Sequence, residues 1–149
     1  MPSILRSGRT LALLSAVLLG GCGVRPTGLA STLPGSTWLV DRIVGADGSV
    51  RRGTGETVAF GADGRISLAS CNLCGGAYTV SSSGVLSVGP GLACTRRGCP
   101  EGATELEREI TGALRTSRDG EYLVLTAVEG GRQVILLPDA AVQPEAATQ

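Results

Sequence analysis

Short apolar runs, paired and separated by glycine-bearing turns, constrain this chain's fold more than any other feature of it. Thr57–Gly61 and Arg65–Ala69 flank Ala62-Asp63-Gly64, and Ala77–Val80 and Val85–Val88 flank Ser81-Ser-Ser-Gly84. Tyr122–Thr126 and Gln133–Leu137 are joined through Glu129-Gly130-Gly131. Each pair reads as a β-hairpin, because glycine supplies the positive φ that tight turns require. Trp38–Val44 adds an opening strand, followed by the turn residues Asp47-Gly48, so six or seven strands are expected. One segment changes period: Leu106, Ile110, Ala113 and Leu114 recur at helical spacing, and Thr104 with Glu107 fits a capping box. The expected fold is α+β and sheet-dominated. Hairpins without βαβ alternation predict an antiparallel, strongly twisted sheet, curled towards a barrel around one amphipathic helix. Full closure would also hide its edges.

The N-terminal residues speak to location. Arg6 and Arg9 precede the apolar run Leu11–Leu19, which is too short to span a bilayer, and small residues lead into Leu19-Gly20-Gly21-Cys22. This is an export signal whose ending resembles the lipobox of bacterial lipoproteins. The resemblance implies cleavage before Cys22, a diacylglyceryl thioether on its sulfur, and N-acylation by a chain such as palmitate. The expected organisation is therefore a signal at 1–21, an acylated Cys22 with a Gly- and Pro-punctuated tether at 22–35, a domain at 36–137, and a disordered tail at 138–149. Two or more acyl chains anchor stably where one is marginal, so the membrane is an expected partner through Cys22. Gly23, in place of an Asp, permits sorting to an outer membrane, facing the periplasm, where the envelope has one.

Composition narrows the chemistry. The basic residues are thirteen Arg and no Lys, balanced by thirteen acids, so charge implies no nucleic-acid partner. The lack of Lys excludes Schiff-base mechanisms. With no His, Ser-His and Cys-His nucleophiles, imidazole metal sites and His-based pH switches are excluded as well. No catalytic constellation and no cofactor are expected.

Four cysteines remain after Cys22: a C-x-x-C at Cys71 and Cys74, then Cys94 and Cys99. Zinc knuckles at both ends would need two short spacings, and here the second is longer. A thioredoxin-like motif needs a helix after its first Cys, whereas Gly75-Gly76 and a strand follow. Structural disulfides suit an exported chain. Of the three connectivities, a Cys71–Cys74 bridge closes a very small loop, and small loops stabilise least. Two antiparallel segments would instead oppose Cys71 with Cys99 and Cys74 with Cys94. An envelope thiol-redox or zinc protein using Cys71, Cys74, Cys94 and Cys99 is the alternative.

Pro34-Gly-Ser-Thr-Trp38-Leu-Val40, the strand with Phe60, Cys71-Asn72-Leu-Cys-Gly-Gly76-Ala-Tyr78, Leu92-Ala-Cys-Thr95-Arg-Arg-Gly-Cys99-Pro100 and Glu105 together resemble, in order and spacing, the META (HslJ-like) domain family. Bacterial heat-inducible envelope lipoproteins belong to it. The resemblance covers roughly residues 33–137 and makes Trp38, Asn72, Gly76, Tyr78, Thr95 and Glu105 motif positions. It implies a small sheet-dominated fold without established enzyme activity, supplies no ligand, and agrees with the outer Cys71–Cys99 pairing. Cys74 and Cys94 depart from the pattern, as a joint gain of an inner disulfide would.

Other features have plainer expected roles. Trp38, Phe60, Tyr78 and Tyr122 are expected to fill core volume. Asn72 is expected to bind loop backbone, and Glu105 to favour the helix start and find a backbone or Arg partner. The repeated tetrads Gly45-Ala-Asp-Gly48 and Gly61-Ala-Asp-Gly64 offer one carboxylate each, too few for calcium, and read as turns. Glu101, Glu105, Glu107 and Glu109 read as a solvated helix face, and Arg96-Arg97 as weak evidence for an anionic ligand. The chain is thus expected to be a non-enzymatic, lipid-anchored envelope protein, stress-related or maintaining the envelope, that binds a protein or envelope component.

Overall fold

The computed structural model describes residues 32–140. The signal, Cys22, most of the tether and most of the tail lie outside them. The strands are β1 (Ser36–Val44), β2 (Val50–Arg52), β3 (Thr57–Phe60), β4 (Arg65–Ala69), β5 (Leu73–Val80), β6 (Val85–Val88), β7 (Ala93–Cys94), β8 (Gly112–Asp119), β9 (Tyr122–Ala127) and β10 (Gln133–Pro138), with a single-turn helix α1 (Leu106–Glu109) between β7 and β8. Every pairing is antiparallel. The path β10-β9-β8-β6-β5-β4-β3-β1 closes on itself through β1–β10, giving an eight-stranded barrel. β2 adds to β1 and β7 adds to β5 outside this ring.

The turns follow their residues. In the tetrads, Gly48 N–H donates to Gly45 O and Gly64 N–H to Gly61 O, while Asp47 and Asp63 accept from the backbone of Ser49 and Arg65. Gly48 and Gly64 sit at φ of 81° and 77°, which side chains with a Cβ rarely adopt. The same chain reversal recurs at Ser81–Gly84, whose Gly84 N–H donates to Ser81 O.

Alternation along the strands sends Val58, Phe60, Ile66, Leu68, Leu86 and Leu125 inwards, all fully or almost fully buried. Leu33 joins this core although the sequence places it in the tether: Gly35 N–H donates to Phe60 O, folding the entering chain over one mouth of the barrel. The 89–111 connection crosses the opposite mouth, where α1 buries Leu106 and Ile110 into the same core. Both crossings thus send side chains into the one core cluster that fills the barrel interior among the described residues.

The amphipathic helix is much shorter than its periodicity predicts. It has no side-chain cap; Glu105 occupies the N-cap, so the Thr104/Glu107 capping box does not form. Gly112 follows at φ 78°, and Ala113 and Leu114 belong to β8. There Leu114 lies between Leu86 on β6 and Ala127 on β9 and is fully buried. A strand slot with partners on both sides outweighs four residues of helical spacing, because a short isolated helix is marginal without extensive packing. The barrel therefore closes beside this segment rather than around a central helix.

Candidate functional site

The mouth crossed by α1 gathers most of the chemically distinctive residues. Two nested disulfides join this end of β5 to the segment after β6: Cys71–Cys99 with Cα atoms 5.7 Å apart, and Cys74–Cys94 with Cα atoms 4.0 Å apart. Cys74 and Cys94 are register partners across β5 and β7. Asn72 lies between the bridges in sequence and organises the loop after β7. Its Oδ1 accepts Arg97 N–H at 2.9 Å and the Thr95 hydroxyl at 3.4 Å, and its Nδ2 lies 3.5 Å from the Cys99 sulfur. The Thr95 hydroxyl accepts Leu73 N–H at 3.0 Å, and Thr95 N–H donates to Leu73 O. Asn72 and Thr95 thus continue by side chain the ladder that the two-residue β7 starts.

Gly76 explains itself by proximity: a Cβ there would lie 2.6 Å from Leu92 Cδ2. The bare backbone lets Leu92 fold against the core at the start of the crossing segment.

Between this loop and the start of β3 lies a groove of about 400 Å³, lined by Thr54, Glu56, Ser70, Cys71, Pro100 and Thr104 among others. Glu56 is buried at its floor, with 7% exposure. Burial alone would raise its carboxyl pKa from the ordinary 4.5, but hydrogen bonds from the backbone of Thr54 and Glu56 and from the Thr104 and Thr54 hydroxyls reverse the sign and hold it below that value. Thr54 N–H donates to Oε2 at 2.6 Å and the Thr54 hydroxyl to Oε1 at 3.0 Å. Thr104 thus serves Glu56 rather than a helix cap. In the sequence Glu56 has no signature, since Thr54-Gly55-Glu56 is no more than an acid near a glycine.

The acids of α1 do not form one solvated face. Glu105 pairs with Arg108 at 2.6 Å, while Glu109 takes Arg51 at 2.9 Å and Arg132 at 3.0 Å, pinning the helix to β2 and to the entry of β10. Glu107 turns towards the inner disulfide, its Oε2 buried and without a hydrogen-bond partner among the described residues. A single turn laid across a mouth has no face wholly given to solvent, which is why helical periodicity misplaces these residues.

The other motif positions lie towards the opposite mouth. Trp38 is buried, donates through Nε1 to the Ser36 hydroxyl at 2.7 Å, and carries the Arg118 guanidinium 4.7 Å from its ring centroid. Tyr78 meets Phe60 edge-on at 5.2 Å and donates to Gly61 O at 2.9 Å. Burial, reinforced by the Asp63 charge, raises the Tyr78 pKa. Tyr122 is half-buried under Arg42. The structure therefore brings Cys71, Asn72, Thr95 and Cys99 together with Glu105 near the same mouth, and uses Trp38 and Tyr78 as packing at the far end. Arg96 and Arg97 are exposed beside the outer bridge.

These features define a small, disulfide-stapled, closed β-barrel domain with a groove beside one mouth. The chain belongs to the META domain family, whose model matches residues 31–141. That family is not a known enzyme family. No curated protein matches the chain. Three solved structures share its fold at low identity. A protein from Burkholderia xenovorans, solved by NMR, is 19% identical with a TM-score of 0.61, covering 92% of this chain and 99% of its own. A second NMR structure is 21% identical with a TM-score of 0.55, over 76% of this chain and 94% of its own. A DUF4847 family protein from Bacteroides vulgatus, solved by crystallography, is 14% identical with a TM-score of 0.50, over 74% and 96%.

Proposed function

We propose that this protein is a non-enzymatic envelope lipoprotein, exported, anchored through acyl chains on Cys22, and using its META domain as a binding module in envelope maintenance or the response to stress. The observation that carries this reading is the pairing of all four domain cysteines into two disulfides, in a chain whose residues 6–22 read as an export signal ending in a lipobox-like Leu-Gly-Gly-Cys. Bridges of this kind persist in oxidising compartments. The Glu56 groove with the Asn72-braced loop is the surface this reading favours for recognition. The expected occupant is a protein or envelope component.

The test is expression of the full chain in a bacterial host fed an alkyne-bearing palmitate analogue, followed by fractionation. The wild type is expected to carry the label, to sediment with membranes and to hold its four domain cysteines as disulfides. Cys22→Ala should lose both the label and sedimentation. An unlabelled wild-type chain in the cytoplasmic fraction, with reduced cysteines, would sink the reading. The alternative thiol or zinc reading is favoured by one observation, the carboxylate beside the inner disulfide.

A further inference from the structure

The two disulfides differ in their surroundings. The sulfurs of Cys74 and Cys94 and one carboxylate oxygen of Glu107 all lie within 4.8 Å of one another, and no other group of three Cys, Asp or Glu donors converges so closely among the described residues. Glu105 and Glu109 each have an arginine, but among the described residues Glu107 has none, and its Oε2 is buried without a donor. Cys74 is 5% exposed and Cys94 half-buried, so the cluster sits under the crossing segment rather than on open surface. An unpaired buried acceptor beside two sulfurs is a poor arrangement for a merely structural staple, since a neutral side chain would fill the space without an unmet hydrogen bond. It is a good arrangement for a metal site held closed by oxidation.

We propose that the Cys74–Cys94 bridge is a dithiol-gated site for a soft divalent cation of the Zn²⁺ class. A protein dithiol attacks the bridge: its S–S bond breaks, the two electrons come from the donor, which leaves as a disulfide, and each cysteine sulfur takes one of the donor's protons. Cation binding then releases those two protons as the thiolates coordinate. Glu107 adds an oxygen ligand and leaves one position for water, a pattern of three protein ligands and one open site. Tetrahedral Zn–S bonds of about 2.3 Å put two sulfurs roughly 3.8 Å apart, so once the bond is cut the sulfurs separate only by side-chain rotation. The β5–β7 ladder and the Thr95–Leu73 hydrogen bonds that extend it keep β7 against β5 while this happens, which holds the ligands near one another. The site is independent of the anchor and of the groove, and its failure would leave the binding-module reading untouched.

The full chain, extracted in detergent, can be titrated with Co²⁺ before and after treatment with a phosphine reductant, with circular dichroism recorded alongside. One equivalent is expected to bind the reduced protein alone, with a thiolate-to-cobalt absorption band, and to be displaced by Zn²⁺. Glu107→Gln should weaken binding roughly tenfold or more, a loss typical of a removed partner in a metal site. Binding should survive Cys71→Ala with Cys99→Ala, and vanish in Cys74→Ser with Cys94→Ser. Absence of the band, equal affinity in Glu107→Gln, or a reduced chain that unfolds and does not refold with metal would each overturn the proposal.

Discussion

Glu56 shows how much one side chain contributes at the polar mouth. Its carboxylate accepts from Thr54 and Thr104 across the groove floor, so Glu56→Ala would leave buried donors unmet and should cost on the order of 2 kcal/mol at pH 7 by chemical denaturation. Because its pKa is held below 4.5, this stabilisation is present above that pH and is lost as pH falls through the lowered value. The wild type and Glu56→Ala should therefore converge in stability as the solution is acidified below pH 4.5, and parallel curves would contradict the assigned role. Asn72 acts on order rather than on charge. Asn72→Ala removes the acceptor for Arg97 N–H, and amide exchange or tryptic cleavage at Arg96-Arg97 should accelerate while the barrel amides stay protected. Asn72 was identifiable from its place between a cysteine and Gly-Gly; Glu56 was not, because its partners come from residues 54 and 104, which only folding brings together.

At the level of elements, the two disulfides and β8 matter most for the stability of the domain. The outer bridge spans 28 residues and the inner 20, so chain entropy gives each about 2–4 kcal/mol, the two differing by only about 0.3 kcal/mol. Removing either pair by double alanine substitution should lower the denaturation midpoint sharply, and an unchanged midpoint would show that the β5–β7 contacts suffice without it. β8 tests why helical spacing misled. Leu106, Ile110, Ala113 and Leu114 fit one helical stripe, yet Gly112 ends that path and Leu114 fills a strand position between Leu86 and Ala127. Leu114→Ala should destabilise by about 2–5 kcal/mol, as expected for a fully buried leucine. Asp119-Gly120, with Gly120 at φ 60° before Tyr122, was the turn signal that could have revealed β8 as the first arm of a hairpin with β9.

For the whole molecule, closure is the property that matters most. The seam pairs β1 with β10, elements from opposite ends of the domain, over six register partners from Trp38↔Pro138 to Val44↔Gln133. A chain lacking residues 133–140 should fail to fold cooperatively, because it exposes the edges of both β1 and β9 and opens the core beneath Leu136. Cooperative thermal unfolding of that truncated chain would count against the seam as a requirement. With contacts this distant in sequence, folding should take milliseconds to seconds, slower than helical domains of equal length. The turns, the strands they join, the suitability of the cysteines for bridging and the excluded imidazole and lysine chemistry were all present in the linear order of residues, because they depend on local φ preference, two-residue alternation and composition. Closure of the barrel, the conversion of residues 112–119 to strand, the buried carboxylate of Glu56 and the approach of Glu107 to the inner sulfurs were decided only in three dimensions. Each depends on a partner remote in the chain, and the free energy of such a contact belongs to the pair rather than to either residue alone.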